Sequence, residues 1–490
     1  MLKIIHIWIH FVRCIGYEDF SITFINPKGR EITTVNAVSD GMHYGWTAPI
    51  LPILEKPGSP VQITETDVVW LENIYMLGGF AGLPVTIFSV DKFGRKKSIL
   101  IACVQNIVSW ILIAFASSVE YLYVARFLSG MAGDVAFVSA PMYIGEIADK
   151  KIRGILGSCI YFMMLLGIMI LYAVAPFVSI PASSAVACSF LIIQLVTLPF
   201  MPDSPYYLLL KGDTEGANRA LQRLRSTKNV EKELEEISSA VQRQKTERGR
   251  PIDLFIIKSN RKALLIMTML NATQHFSSIS VMLMNVHSII DDGASMLSSS
   301  TAAIIFSALM FVALIISANL IDRLGRKVLL CSSGILTGLS LLLLASYFAV
   351  KNADIDVSSY NWIPVAAVMF YAISFRYGLG TVPIVMTAEL FPTSVKAMGM
   401  TLSDCSYVLF SVASIYMYQH LRVEYGLHVP FFIFSSWCFL AAIFSLIYIP
   451  ETKGRTLEEI QQILKGNPIS KRPSLKDEAN VKMNEQDTVI

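Results

Sequence analysis

Three ionisable residues interrupt otherwise apolar stretches of the chain: Asp40, Arg376 and Asp404. A charge placed in such surroundings costs several kcal/mol unless it is paired or faces a polar cavity. Arg376 and Asp404 therefore admit two readings beyond a remote structural pair. They neutralise each other inside one bundle, or Arg376 lines a cavity and selects an anionic solute. Asp40, close to His43, suggests either proton coupling or a hydrated helix end. All of this is chemistry of holding and releasing a polar solute, not of breaking bonds.

A second group of charges comes in duplicate. Asp91-Lys92-Phe93-Gly94-Arg95-Lys96 returns as Asp322-Arg323-Leu324-Gly325-Arg326-Lys327. Glu146, followed by Arg153, returns as Glu389 followed by Lys396, and Pro202-Asp203-Ser204 returns as Pro450-Glu451-Thr452. In the repeated loop glycine permits a tight turn, and arginine forms a bidentate pair with a carboxylate where lysine does so less well. The same order of patterns in both halves indicates duplication. Charges that anchor helix ends and set topology would account for any one of them. The doubled set suggests more: ion pairs across the seam between two halves, closing one side and breaking when it opens.

Catalytic and metal chemistry find no support. No Gly-rich phosphate loop, Ser-His-Asp order or His-Glu-x-x-His occurs, so no enzyme is expected. His275 and His287 lack metal-ligand spacing and read as polar lining or interhelix hydrogen bonders. The seven cysteines are scattered singly, six of them in apolar runs, which argues against a disulfide framework or a metal site. With a net charge of +3 and no basic face interleaved with aromatics, nucleic acid is excluded as a partner.

The elements that must position these residues are membrane helices. Of the 490 residues 54% are apolar and 16% charged, too few charges to clothe a soluble surface. Apolar runs predict twelve spans, near residues 35–54, 68–90, 98–117, 121–143, 155–176, 183–201, 262–288, 298–320, 328–348, 362–389, 397–417 and 428–449. The fold class is thus an all-α membrane protein, two pseudo-symmetric six-helix bundles with a helical loop between them. The expected organisation is an ill-defined segment 1–34, a first bundle 35–202, an amphipathic loop 203–261, a second bundle 262–450 and a tail 451–490. Loop lysines and arginines fall almost wholly on one side; the other holds Lys56, Lys351 and Arg422. The positive-inside rule then puts both termini in the cytoplasm. Within the central loop Ala217, Leu221 and Leu224, then Leu234, Ile237 and Val241, recur at helical spacing and predict short surface helices. The sequon at Asn271 falls inside a span and is expected to be unglycosylated.

These motifs, from about Asp40 to Ile460, resemble the sugar-porter branch of the major facilitator superfamily. The resemblance rests on both Gly-Arg-Lys loops, Arg126-Phe127-Leu128-Ser129-Gly130, Pro141 to Ile147, Pro202-Asp203-Ser204-Pro205 and Pro450 to Leu457. Gly45-Trp46-Thr47-Ala48-Pro49 and Pro205-Tyr206-Tyr207-Leu208-Leu209 are most similar to the insect facilitated trehalose transporter group. The resemblance implies passive carriage of a neutral sugar across the plasma membrane, no cofactor, and Asp91, Gly94, Arg95, Arg126, Glu146, Arg153, Asp322, Gly325, Arg326, Glu389 and Lys396 as gating charges and turns. Related proton symporters carry a carboxylate in span one, about two places from Asp40.

The implied cargo site departs from the pattern. Tyr161 stands where a glutamine is usual, Gln274-His275-Phe276-Ser277-Ser278-Ile279-Ser280 keeps one glutamine and one serine, and Thr381-Val382-Pro383-Ile384 lacks a tryptophan. Tyr407 and Val408 replace an Asn-Trp pair, and Met310 an asparagine. Each unsatisfied hydroxyl of a desolvated hexose costs about 1–3 kcal/mol. Substrate contacts are therefore expected from Tyr161, Gln274, His275, Ser277, Ser280, Thr381 and Tyr407. The expected function is a uniporter of trehalose or a hexose by alternating access, monomeric by default, with a proton-coupled symporter or a non-transporting sugar sensor as alternatives.

Overall fold

The computed structural model describes residues 35–466, except 57, 149–152, 226, 228, 247–249, 251, 294–296, 393–394, 454 and 456, and leaves out some side chains within helices. The expected N-terminal segment and most of the tail lie outside the described residues.

Ten helical stretches among the described residues are long and apolar enough to cross a membrane. The other two expected spans, one and seven, are each broken into two shorter helices. The ring of large apolar side chains left exposed on the outer surface, Phe88, Val104, Ile193 and Leu440 among them, suits a hydrocarbon surround. The breaks have local causes. Span one comprises Val35–Tyr44 and Thr47–Leu54. Pro49 has no N–H to give the carbonyl four residues back, so the helix is interrupted at Gly45 and Trp46. In span seven, Lys258–Phe276 and Ile279–Gly293 meet at Ser278, whose φ of 73° is left-handed. One such residue ends a helix. Span ten, Ile363–Tyr377 followed by Val382–Leu390, is broken across Gly378 to Thr381 and restarts at Pro383.

Small residues let neighbouring helices approach closely. A Cβ at Gly130 would lie 1.9 Å from Tyr75 O, and one at Gly78 2.2 Å from Phe127 O, which joins span two (Glu65–Lys92) to span four (Val119–Ile147). Gly41 and Gly167 bring span one against span five (Arg153–Val174) in the same way, 2.0 Å from Met164 O and 1.9 Å from Val38 O.

The Gly-Arg-Lys loops, the central loop and the C-terminal helix Leu457–Lys465 lie at one end of the bundle, here termed the charged face. The central loop folds as Thr214–Arg225 and Glu231–Thr246, with Leu221, Ile237 and Val241 buried together. It is fastened to the first bundle by Arg225 Nη1, which donates to Ile147 O at 3.0 Å, and by Arg223 Nη2, which donates to Phe200 O at 2.7 Å.

The two bundles are stitched together toward the opposite face. Tyr44 Oη lies 3.0 Å from Ser280 Oγ, and Thr47 Oγ1 donates to Met284 O at 3.4 Å. Tyr172 donates to Leu283 O, and Gln419 Nε2 donates to Glu72 Oε2 at 2.7 Å. Spans one and seven thus meet at and beyond their breaks, on the side away from the duplicated charges.

Candidate functional site

At the charged face the duplicated residues form two matching clusters. In the first bundle Arg95 Nε donates to Glu146 Oε1 at 3.0 Å, with Nη2 2.9 Å from the same oxygen, and Ser204 donates to Glu146. In the second, Arg326 Nη2 lies 2.9 Å from Glu389 Oε1, and Thr452 Oγ1 donates to Glu389 Oε2 at 2.6 Å. The expectation of pairing across the seam is therefore corrected. Both ion pairs close within a bundle, because each arginine starts a helix beside the end of the span that carries its glutamate. Lys396, half-buried, pairs with neither glutamate. Asp91 is exposed. The side chains of Arg153 and Asp322 lie outside the described set.

Both turn glycines are needed where they stand. Gly94 and Gly325 have φ of 84° and 88°. A Cβ on Gly94 would meet the Tyr207 ring at 2.7 Å, and one on Gly325 would meet Glu451 Oε2 at 2.5 Å. Glu451 caps span nine (Arg326–Asn352), accepting from the backbone N–H of Arg326 at 3.0 Å and Lys327 at 3.1 Å. Burial pushes the Glu451 carboxyl up, but N–H donors from Lys453, Arg326 and Lys327 and the Arg326 charge outweigh it and hold its pKa below the usual value.

Arg126 does not join these clusters. It is fully buried in the first bundle, donating to His43 O and, at 3.2 Å, to Leu71 O, with its guanidinium 4.5 Å from the Tyr75 ring centroid. Near the start of span four, it faces spans one and two, far from Glu146 at the other end. Asp40 is likewise not at a hydrated helix end. It is buried, accepting from Asn106 Nδ2 at 2.8 Å and Asn36 Nδ2 at 3.1 Å, while His43 stacks on Trp110 at 4.0 Å.

The break in span seven gathers the expected cargo residues. Ser280 is the hub: its Oγ lies 3.0 Å from His275 Nδ1, from Tyr44 Oη and from Ser411 Oγ. The His275 ring packs edge-on to Tyr407 at 4.2 Å. Gln274 Nε2 donates to Leu379 O at 3.0 Å. That carbonyl is the one left without its helical donor by Pro383, so the broken tenth span is tied to the broken seventh. Tyr161 comes from span five and approaches Phe137, with ring centroids 6.2 Å apart. Two expected contacts point elsewhere. The Ser277 hydroxyl donates to Gln274 O at 2.8 Å in its own helix, and that of Thr381 donates to Arg376 O at 2.8 Å, so neither is a free donor. Asn271 is buried and spends its amide on Ser403, 2.8 Å to the carbonyl and 2.9 Å to the hydroxyl.

Arg376 and Asp404 do not form the expected pair. Arg376 makes one hydrogen bond, from Nη1 to Gly380 O at 3.4 Å, and its Nε has no partner. Asp404 is half-buried and carries no ion pair among the described residues. Tyr161 and Tyr407 each lie within electrostatic reach of both. Sequence reasoning missed Asp134 and Glu72. Both lie inside expected spans, and the rule that singled out Asp404 applies equally to them.

The match to known families covers this whole arrangement. Residues 32–464 fit the model of the sugar (and other) transporter family. The chain belongs to that family. Among relatives, this sugar transporter family member is 30% identical over 434 residues to a facilitated trehalose transporter Tret1 of Polypedilum vanderplanki, covering 87% of this chain and 85% of that one. It is 29% identical to the Tret1 of Aedes aegypti, over 87% of this chain and 53% of that longer one. Among solved structures, it is similar to the inward open conformation of the xylose transporter XylE from E. coli, with a TM-score of 0.74 at 19% identity, covering 89% and 98% of the two chains. It is also similar to the proton:xylose symporter XylE bound to 6-bromo-6-deoxy-D-glucose, with a TM-score of 0.70 at 21% identity, covering 89% and 99%. The fold is that of the major facilitator superfamily, in a multi-pass membrane protein.

Proposed function

We propose that this protein is a uniporter that carries a sugar such as trehalose or a hexose across the plasma membrane by alternating access, with both termini cytoplasmic and the charged face inward. The carrying observation is the asymmetry of the seam among the described residues. Hydrogen bonds between the bundles, Tyr44 to Ser280 and Thr47 to Met284, lie on the side away from the charged face. The duplicated ion pairs Arg95–Glu146 and Arg326–Glu389 close within each bundle and so do not tie the charged-face side of the seam. This is the arrangement of a carrier that rocks between two openings around a central site.

Gln274, His275, Ser280, Tyr161 and Tyr407 are the side chains assigned to that site, on spans five, seven and eleven. Passive carriage is favoured over coupling through Asp40, because that carboxylate is buried and held by two asparagine amides of its own bundle. The deciding experiment uses the purified full chain in vesicles preloaded with unlabelled trehalose or glucose. Counterflow of the labelled sugar without dependence on a proton gradient is the expected result. Binding without exchange would instead identify a sensor, and exchange that accumulates only under a proton gradient would identify a symporter.

A further inference from the structure

One buried carboxyl is bonded across the seam. Glu72 lies about two turns into span two, and Gln419 about two turns before the end of span eleven (Lys396–Tyr425), so both stand toward the face opposite the duplicated charges. Gln419 Nε2 donates to Glu72 Oε2 at 2.7 Å. Glu72 has no exposed surface, Gln419 is 6% exposed, and the neighbouring Leu71, Ile415 and Tyr418 are fully buried. The other carboxyl oxygen, Oε1, makes no hydrogen bond. Arg422, a turn further along span eleven, is taken up by Asp292 and Ser288 of its own bundle, at 3.0 and 3.1 Å.

The contact is confined to one edge of the seam. In the register of the duplicated loops Glu72 corresponds to Ala303, and in that of the Glu146 and Glu389 repeat Gln419 corresponds to Pro176. Neither of those side chains can form such a bond. Between span five and span eight (Ser299–Leu324) the bundles meet through Phe162 and Phe311, with ring centroids 5.8 Å apart.

A polar pair holds a seam less firmly than an apolar one, since two leucines would bury apolar surface and leave nothing to satisfy. Protonated or ionised, the Glu72 carboxyl has two oxygens; in the closed state one is satisfied by the opposite bundle and one is bare. Once the seam parts, water reaches both. Resting on the reading of this protein as an alternating-access carrier, we infer that Glu72 is a gating residue of the side opposite the charged face: Gln419 latches it, and hydration of its bare oxygen drives that side to reopen.

Two related substitutions should then act in opposite directions. With Gln419→Leu the closed state buries a carboxyl with both oxygens bare, so this side opens more readily. With Glu72→Leu and Gln419→Leu together no polar group remains there, so it stays closed more firmly. Exchanging the pair, Glu72→Gln with Gln419→Glu, keeps one donor and one acceptor.

The test uses the full chain in vesicles, with Thr47→Cys as reporter and a membrane-impermeant thiol reagent added from the side opposite the charged face. Relative to the reporter chain alone, Gln419→Leu should label about tenfold faster and the double leucine variant about tenfold slower, with the exchanged pair within about twofold. Loosened packing alone would raise the rate in both leucine variants. Shifts in the same direction, or the absence of a shift in one or both, overturn the inference, as does an exchanged pair that labels as fast as Gln419→Leu. Should the double leucine variant fail to fold, Glu72→Met with Gln419→Leu carries the same expectation. Labelling needs no sugar flux, so the two readings fail separately. Opposite shifts without counterflow of any sugar leave the gate and remove the carrier, and counterflow without opposite shifts does the reverse.

Discussion

Glu146 takes both the Nε and Nη2 hydrogens of Arg95 on a single carboxylate oxygen, and the two residues belong to the same bundle. The pair Arg326 and Glu389 repeats the relationship in the other bundle, and in each case a hydroxyl, from Ser204 or Thr452, binds the second oxygen. These pairs therefore stiffen each bundle as a rocking body, and their loss reads out as stability before it reads out as gating.

Glu146→Gln and Glu389→Gln should each lower unfolding free energy by about 1–3 kcal/mol, the cost of leaving a largely buried cation short of its partner. Because the clusters sit in different bundles, the double variant should be additive to within about 0.5 kcal/mol. Thermal unfolding in detergent measures both. A coupling energy well above that value would mean the clusters communicate across the seam.

The capping carboxylate of Glu451 gives a pH signature. Its pKa is depressed in the folded protein, so its contribution is present above the ordinary glutamate pKa, about 4.3, and is lost as pH falls through the lower folded value. Glu451→Gln should therefore be less stable than the parent by a constant margin at pH 6–8, and that margin should shrink only below about pH 4. A margin that grows on acidification would contradict the cap.

Gly325→Ala introduces a Cβ 2.5 Å from Glu451 Oε2 at a φ of 88°, whereas Gly58→Ala, at the same φ, meets nothing within 4 Å. The second substitution should cost only the left-handed strain, about 1–2 kcal/mol. The first should cost distinctly more, because the cap must also move. Equal shifts in Tm would show that Glu451 yields freely.

Gln274→Leu removes the donor to Leu379 O and leaves a buried carbonyl bare, a loss of about 1–3 kcal/mol. Pro383→Ala supplies the helical N–H that this carbonyl lacks. The double variant should recover part of the lost stability, measured by thermal unfolding, and an unchanged or additive loss would refute the link between the two broken spans.

Tyr44→Phe deletes the cross-bundle contact with Ser280, worth about 1 kcal/mol or roughly fivefold in the balance between openings. A cysteine placed at buried Thr47 should then react about fivefold faster with a membrane-impermeant thiol reagent added from the side opposite the charged face. An unchanged labelling rate would remove this contact from the gate.

The spans were readable because bilayer thickness imposes a length on apolar runs, and the duplicated charges marked their ends. What lay beyond that reading was direction. The pattern around Arg126 put it among the gating charges, yet its helix turns it inward onto Trp46 and Tyr75. Ser277 and Thr381 have the right residue type for a sugar site, but each bonds a carbonyl of its own span. Arg376 and Asp404 were legible as buried charges; that they form no ion pair depends on how spans ten and eleven pack, which no local pattern encodes. Asp134 was equally visible as an acid within an apolar run, and its hydrogen bond from Thr86 shows only in how spans two and four pack.

The unwound turn at Gly378 to Thr381 offers Leu379 O to Gln274 and Gly380 O to Arg376. Part of what holds the recognition groups in position is therefore main chain, fixed by where a proline interrupts the helix and not by which side chains surround it. Cargo preference can drift through side-chain replacement while this peptide scaffold persists, which explains how a chain so altered at its amide positions still keeps a framework for gripping a polyhydroxylated solute.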